Sequence, residues 1–321
     1  MSKMQALRVN RQEKYEWEIK EIPRPTPADG EVLVKIAYSG LNYKDALALT
    51  DAGVIRSFPR TPGIDLAGVV VESKNPDFTP GDQVYGTGFG IGVSWDGGFS
   101  EYQTLPGKWL LPLPENLAPR EAMAFGTAGL TAALCVAAIT QKVQLDEPVL
   151  IIGATGGVGS MAYHLLSKLG YRDLTILSRK EDAPSLFPKA KAVLNPEVFL
   201  IEEKPLNSQL FSGIVDTVGG DLLAKLLPHV HYAGIVAACG NAGGIKLNTT
   251  VLPFILRGVT LAGIDSVNAT NQDRKKAWNL LIEHKDLLQE IVLQEISLPD
   301  VPTVAASLRA GTHTGRTIVK L

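Results

Sequence analysis

Cysteine is nearly absent: the 321 residues include only Cys135 and Cys239, and no C-x-x-C pair. That excludes a cysteine-built zinc knuckle and any disulfide framework. A single Cys135–Cys239 bridge is left as an alternative that a reducing compartment disfavours. Histidine is scarce too, and His164, His229, His231, His284 and His313 form no ligand pair at helical or strand spacing. Charge of one sign is not in surplus, since 31 Lys plus Arg against 33 Asp plus Glu give a formal −2. No field draws the chain to a polyanion, so nucleic acid is not an expected partner. Nor does any uninterrupted apolar run approach the ~20 residues that span a bilayer. The opening residues Met1 to Gln5 lack the apolar stretch of a signal peptide. No membrane partner is expected, and the cytoplasm is the expected location.

What is present is an ordinary globular composition, 45% hydrophobic and 20% charged, in a chain long enough for two domains. Residues 30–104 hold short β-rich runs, Glu31 to Ile36, Leu66 to Val71 and Gln83 to Tyr85, punctuated by Gly and Pro. This texture predicts a compact, barrel-like β unit. From Glu121 to Ala138 the chain becomes Ala- and Leu-rich without proline, a helix-forming composition that marks a domain boundary. A β-α-β rhythm follows, with strands 149–152, 174–177, 214–217, 235–238 and 260–264 and a helix over 157–169, which implies a parallel sheet covered on both faces. Helices over 272–288 and 301–310 and a strand over 317–320 complete the chain. The expected class is α/β: a discontinuous β-rich domain, 1–121 with 266–321, and a Rossmann-type doubly wound domain, 122–265.

The strongest motif runs from Val149 to Gly159, with glycines at 153, 156 and 159 between a buried strand and a helix. Glycines there let backbone approach a pyrophosphate while the helix N-terminus offers N–H groups and partial positive charge, so Thr155, Gly156, Gly157 and Val158 are candidate cofactor contacts. An acidic residue about twenty positions beyond the glycines would select NAD by binding the ribose 2′-hydroxyl. Here the next strand ends in Ser178-Arg179-Lys180, a hydroxyl and two cations suited to a 2′-phosphate. NADPH is the expected cofactor; the alternative leaves Arg179 and Lys180 as solvated charges.

Beyond these motifs the chain resembles the medium-chain dehydrogenase/reductase superfamily along nearly its whole length, in the zinc-independent quinone-oxidoreductase branch with its GroES-like catalytic domain. The likeness rests on Gly40-Leu-Asn42-Tyr43-Lys44-Asp45, Pro62-Gly63-Ile64-Asp65-Leu-Ala-Gly68, Gly97-Gly98-Phe99-Ser-Glu101-Tyr102, Gly126-Thr127-Ala128-Gly129 and the glycine loop. Asp216-Thr-Val-Gly219, Ala238-Cys239-Gly240, Pro253 to Val259 and Gly263-Ile-Asp265-Ser266 resemble its YhdH/AcuI-type group, whose enzymes reduce acryloyl-CoA with NADPH. Zinc-dependent relatives carry ligands where this sequence has Asn42 and Gly63-Ile64-Asp65, so the three-ligand set of a catalytic zinc is not expected.

The resemblance implies reduction of an activated C=C bond on a small substrate, an enoyl-CoA or a quinone. By resemblance Tyr43 contacts the cofactor; its hydroxyl can donate to a substrate carbonyl or relay a proton. Asn42 is a second catalytic candidate through its amide N–H, Lys44 and Asp45 are a candidate structural pair, and Asp65 is expected to orient a loop by accepting backbone N–H bonds. Leu247, Ser266 and Arg316 are carried over as cofactor contacts. Arg56 and Arg60, on a Gly- and Pro-containing loop, are candidates for CoA phosphates. Three readings are carried forward: an enoyl-CoA reductase, a quinone reductase of broad specificity, and an NADPH-binding protein without turnover. A homodimer extending the parallel sheet from the edge near 259–264 is expected by analogy.

Overall fold

The computed structural model describes residues 2–199 and 204–321. The chain forms two units, Met1–Thr127 with Val292–Leu321, and Ala128–Ile291. The first opens with an antiparallel pair, β1 (Lys3–Arg11) and β2 (Tyr15–Pro23). Then come β3 (Glu31–Leu41), α1 (Tyr43–Ala48), β4 (Asp65–Ser73), β5 (Gln83–Thr87), β6 (Tyr102–Pro106) and β7 (Leu111–Pro112). A long helix, α2 (Pro119–Thr140), carries the chain out of this unit.

The second unit adds β8 (Val149–Ile152), α3 (Gly157–Lys168), β9 (Leu174–Leu177), α4 (Ala183–Leu186), β10 (Ala192–Leu194) and α5 (Pro196–Phe199). It continues with β11 (Phe211–Asp216), α6 (Gly220–Leu226), β12 (Val230–Ala238), α7 (Leu252–Arg257), β13 (Thr260–Gly263) and α8 (Asn271–Glu283). The chain then returns to the first unit with β14 (Leu293–Ser297), α9 (Val301–Arg309) and β15 (Arg316–Lys320).

In the first unit a seven-stranded sheet runs β14-β15-β3-β4-β5-β7, with β6 also paired to β3. Alternation explains its core: Val32, Val34 and Ile36 of β3 point to one side and pack with Leu66, Val84 and Leu105. On another side Leu7 and Val9 pack with Leu41, Phe99, Val301 and Val319, so the C-terminal segment completes this unit. In the second unit six parallel strands run β10-β9-β8-β11-β12-β13. That is the doubly wound order, reversing between β8 and β11. Each residue of β8 is buried, as a strand covered on both faces requires.

Both boundaries differ from the sequence expectation. The first falls after Thr127 rather than 121. The second falls after Ile291 rather than 265, because α8 belongs to the parallel-sheet unit. Trp278 and Leu281 are buried, Arg274 Nη2 donates to the Ser266 and Val267 carbonyls (2.8 and 2.7 Å), and Lys168 of α3 pairs with Asp286 and Glu290 (2.7 and 2.8 Å). The helix expected over 272–288 stops at Glu283, and a tight turn over 285–289 buries Leu287. Strands β1, β2, β6, β7, β10 and β14 are additional to those expected from the sequence. α2 is long and apolar enough by composition to cross a membrane although no uninterrupted apolar run marks it, and 83% of its most apolar stretch is buried within the protein. Cys135 and Cys239 are free thiols.

Candidate active site

Strand β3 ends at Leu41, and Asn42, in extended conformation (φ −116°, ψ 164°), is the N-cap of α1. Asn favours this place because its short polar side chain serves the helix start. Asp45, three residues on, accepts the Asn42 N–H at 2.8 Å, the return half of a capping box. Tyr43 is therefore held at the first helical position, half-buried.

The Asn42 side chain is spent internally. Its Nδ2 donates to Asp65 Oδ2 (2.8 Å), Asp45 Oδ2 (3.1 Å) and the Gly40 carbonyl (3.4 Å), and its Oδ1 accepts from Arg316 Nη1 (3.1 Å). An amide so occupied has no N–H for a substrate carbonyl, which corrects the catalytic role expected of Asn42. Arg316 is corrected likewise: at 2% exposure all five of its N–H groups are directed to protein acceptors, leaving none for a cofactor phosphate.

Asp65 opens β4, fully buried, and faces Arg316 Nη2 at 3.3 Å. It also accepts the Thr127 N–H (3.0 Å) and hydroxyl (2.5 Å), which places a carboxylate at the start of the second leg of α2. Asp65 therefore accepts a backbone N–H from α2 and not from the loop it was expected to orient, which Asp45 holds instead. Asp45 accepts backbone N–H from Gly63 (3.2 Å) and Ile64 (2.9 Å) rather than an ion pair from Lys44. Burial, and then the Asp65 charge, push Asp45 up to about 7 against the pull of the Asn42 and Ile64 hydrogen bonds. Burial draws Arg316 below the ordinary guanidinium range, while Asp65 and Asp45 oppose that shift.

Arg56 is exposed. Arg60 is not available as a phosphate ligand in the way its position suggested: it gives Nη1 to Asp96 (3.4 Å) and Nη2 to Ser57 (2.7 Å), and its Nε is buried. The same aspartate holds Arg8 at 2.7 Å.

In the parallel-sheet unit the glycines occupy the end of β8 at the reversal of strand order, where doubly wound sheets bind ligands. Gly153 has φ 71°, and a Cβ there would meet Thr217 Oγ1 at 2.1 Å. A Cβ on Gly159 would meet the Gly153 carbonyl oxygen at 2.4 Å, so helix and loop cross too closely for any side chain. Gly156 is the N-cap of α3, and the first helical bond runs from Ser160 N–H to Gly156 O at 3.0 Å. The N–H groups of Gly157, Val158 and Gly159 precede it and form the positive end of a twelve-residue helix.

Beside them, Leu177 of β9 pairs in register with Ile152 of β8. Ser178, Arg179 and Lys180 therefore leave the sheet at the same end as the glycine loop. Arg179 is exposed, and Ser178 Oγ accepts the Lys180 N–H at 3.1 Å. Burial lowers the Lys180 amine, opposed by Asp182. Thr155 is 9% exposed. A pyrophosphate at the helix end and a 2′-phosphate at the cationic tip fit this donor set.

Two residues at the reversal point were not among the sequence candidates. Thr217 Oγ1 donates to the Ile152 carbonyl at 3.0 Å, and buried Asp216 accepts the Val218 and Gly219 N–H groups, both at 2.9 Å. Burial raises the Asp216 carboxyl, and those N–H bonds counter it. Their signal was the end of a fourth parallel strand, which strand order alone makes meaningful. Leu247 lies on an exposed segment over 241–251, and the Ser266 hydroxyl accepts from Thr131 Oγ1 at 2.8 Å.

Residues 28–115 match the alcohol dehydrogenase GroES-like domain family. A probable acrylyl-CoA reductase AcuI of Escherichia coli is 42% identical over 99% of this chain and 100% of its own. A putative quinone oxidoreductase YhfP of Bacillus subtilis is 44% identical over 92% and 91% of the two chains. The crystal structure of the yhdH oxidoreductase from Salmonella enterica in complex with NADP superposes with TM-score 0.93 at 41% identity, covering 99% and 100% of the two chains.

Proposed function

Because the chain belongs to the zinc-independent quinone-oxidoreductase branch of the medium-chain dehydrogenase/reductases, a group of oxidoreductases, we propose that it reduces a short α,β-unsaturated CoA thioester of the acryloyl-CoA type with NADPH. The observation that carries this reading is the pairing of a full-length likeness to an acrylyl-CoA reductase with a cationic Ser178-Arg179-Lys180 tip beside the glycine loop.

Bound NADPH supplies a hydride for the β-carbon of the substrate. Thr155, Gly156, Gly157 and Val158 would hold its pyrophosphate through the α3 terminus, Ser178, Arg179 and Lys180 its 2′-phosphate, and Leu247 and Ser266 would contact it further along. Tyr43 faces the reacting atoms: its hydroxyl donates to the thioester oxygen as enolate charge develops there, the kind of preorganised donor that lowers such barriers most. Arg56 attracts the CoA phosphates. The enzyme works in the cytoplasm as a homodimer joined along edge strand β13, beside which α7 exposes Ile255 and Leu256.

Loss of NADPH absorbance, followed with acryloyl-CoA and with small quinones, tests the reading. A kcat/KM for acryloyl-CoA at least a hundredfold above that for quinones is expected. The reverse preference establishes the quinone reading that the YhfP likeness favours, and NADPH binding without oxidation of either panel establishes a protein without turnover. Sedimentation at micromolar concentration gives a dimer; a monomer there removes the β13 interface.

A further inference from the structure

One guanidinium collects acceptors from three separate chain segments. Arg316, the first residue of β15, donates Nε–H to the Ala124 carbonyl (3.1 Å) and Nη1 to the Leu41 carbonyl (2.6 Å) and Asn42 Oδ1 (3.1 Å). Its Nη2 donates to the Met123 carbonyl (3.1 Å) and Asp65 Oδ2 (3.3 Å). Its backbone N–H donates to the Val292 carbonyl at 2.8 Å.

These partners sit at particular places on the chain. The polypeptide passes between the two units twice, after Thr127 and after Ile291. Met123 and Ala124 lie just before the first passage, Asp65 holds Thr127 at it, and Val292 is the first residue after the second. Leu41 and Asn42 are the end of β3 and the cap of the helix that begins with Tyr43. Two glycines make room for the fork: a Cβ on Gly40 would meet Arg316 Nη2 at 2.2 Å, and one on Gly126 would meet it at 2.6 Å. A buried ion pair contributes little net stability against a well-packed apolar core. What it provides here is fixed direction, because a planar fork with five donors orients five acceptors and a lysine with three rotating donors does not.

We infer that Arg316, acting with Asp65, is a positioning residue of the reductase reaction: its side chain locks the Asn42 cap, and with it Tyr43, to the chain at Met123, Ala124 and Thr127, where it leaves this unit. This rests on the reading of Tyr43 as the residue that faces the reacting atoms. The nucleotide-holding groups, Gly156 to Val158 and Ser178 to Lys180, lie in the other unit and make no part of the lock. Loss of the lock therefore affects the chemical step and spares cofactor affinity.

The test compares wild type with Arg316→Lys, Arg316→Ala and Thr127→Val, using acryloyl-CoA or a quinone, whichever wild type turns over, and fluorescence titration for NADPH affinity. Expected for both Arg316 variants is a kcat at least tenfold lower per folded enzyme, an NADPH Kd within about threefold of wild type, and a larger deuterium effect with NADPH labelled at the transferred position. Added guanidinium returns part of kcat to Arg316→Ala, while ammonium at equal ionic strength does not. Thr127→Val removes the hydroxyl bond to Asp65 and, should Arg316→Ala fail to fold, carries the test with a smaller fall in kcat at unchanged NADPH Kd. An unchanged kcat in the folded variants, or kcat and NADPH affinity falling together, overturns the inference. A crystal structure of Arg316→Lys reads the lock without turnover: a displaced first turn of α1 supports it, and an unmoved Tyr43 overturns it. Tyr43→Phe run in parallel separates the two ideas, since unchanged turnover there removes the tyrosine hydroxyl from the chemistry without touching the Arg316 result.

Discussion

Gly126→Ala is expected to be among the most damaging single-methyl changes in this protein. Gly126 interrupts α2 with φ 50° and ψ −152°, a conformation essentially reserved for glycine, so any side chain there costs roughly 1–3 kcal/mol in backbone strain. The added methyl would also sit 2.4 Å from Asp65 Oδ2 and 2.6 Å from Arg316 Nη2. Neither group can yield cheaply, because both are buried and fully engaged. Prising the pair apart leaves two poorly compensated charges, a cost of roughly 3–5 kcal/mol. The sum, about 4–8 kcal/mol, is a large share of the roughly 5–15 kcal/mol that stabilises a typical domain. Gly30→Ala is the control: Gly30 also has positive φ (82°), but nothing lies within 4 Å of its added Cβ, so only about 1–2 kcal/mol of strain is expected. Urea unfolding followed by circular dichroism measures both. If Gly126→Ala unfolds within about 1 kcal/mol of Gly30→Ala, the buried cluster is not the rigid lock described above.

Arg179→Ala is expected to weaken NADPH binding by roughly tenfold to a hundredfold, the worth of a charge-assisted contact, and NADH binding hardly at all; equal weakening of both would remove the 2′-phosphate role. Tyr43→Phe should lower kcat by roughly 10²-fold or more if the hydroxyl transfers or donates a proton, and steady-state kinetics with acryloyl-CoA reads this directly. Asp45 titrates near 7 in the fold against 3.8 ordinarily, so between those values the folded chain binds more protons than the unfolded one. Its contribution to stability is therefore greatest at low pH, declines as pH rises from about 4 through 7 and is lost above that. Melting temperatures of wild type and Asp45→Asn across pH 5 to 8 should diverge with that slope, and parallel curves would refute it. Arg56→Ala should raise the KM for acryloyl-CoA severalfold without changing that for a quinone; an unchanged KM for the thioester ends the role of this cation.

Much of the molecule was legible because its signals are local. Strand alternation in β3, the unbroken apolar run of β8, and glycines 153, 156 and 159 between strand and helix each need only neighbouring residues, and each lies where expected. The cationic tip after β9 was equally plain, since parallel pairing with β8 brings it to the glycine end of the sheet. Domain limits were less legible: Trp278 and Leu281 show helical spacing but do not announce which core receives them.

By itself the sequence determined the β-α-β order of β8, β9, β11, β12 and β13, the glycine loop that ends β8 and the cationic tip that ends β9. Only the tertiary structure decided which polar groups were left free. Arg316 meets Asn42 across 274 positions and Asp65 across 251, and those contacts turn two expected ligands of cofactor or substrate into members of a closed cluster. A donor's availability is set by every acceptor that surrounds it, and those acceptors come from strands and helices that only folding brings together.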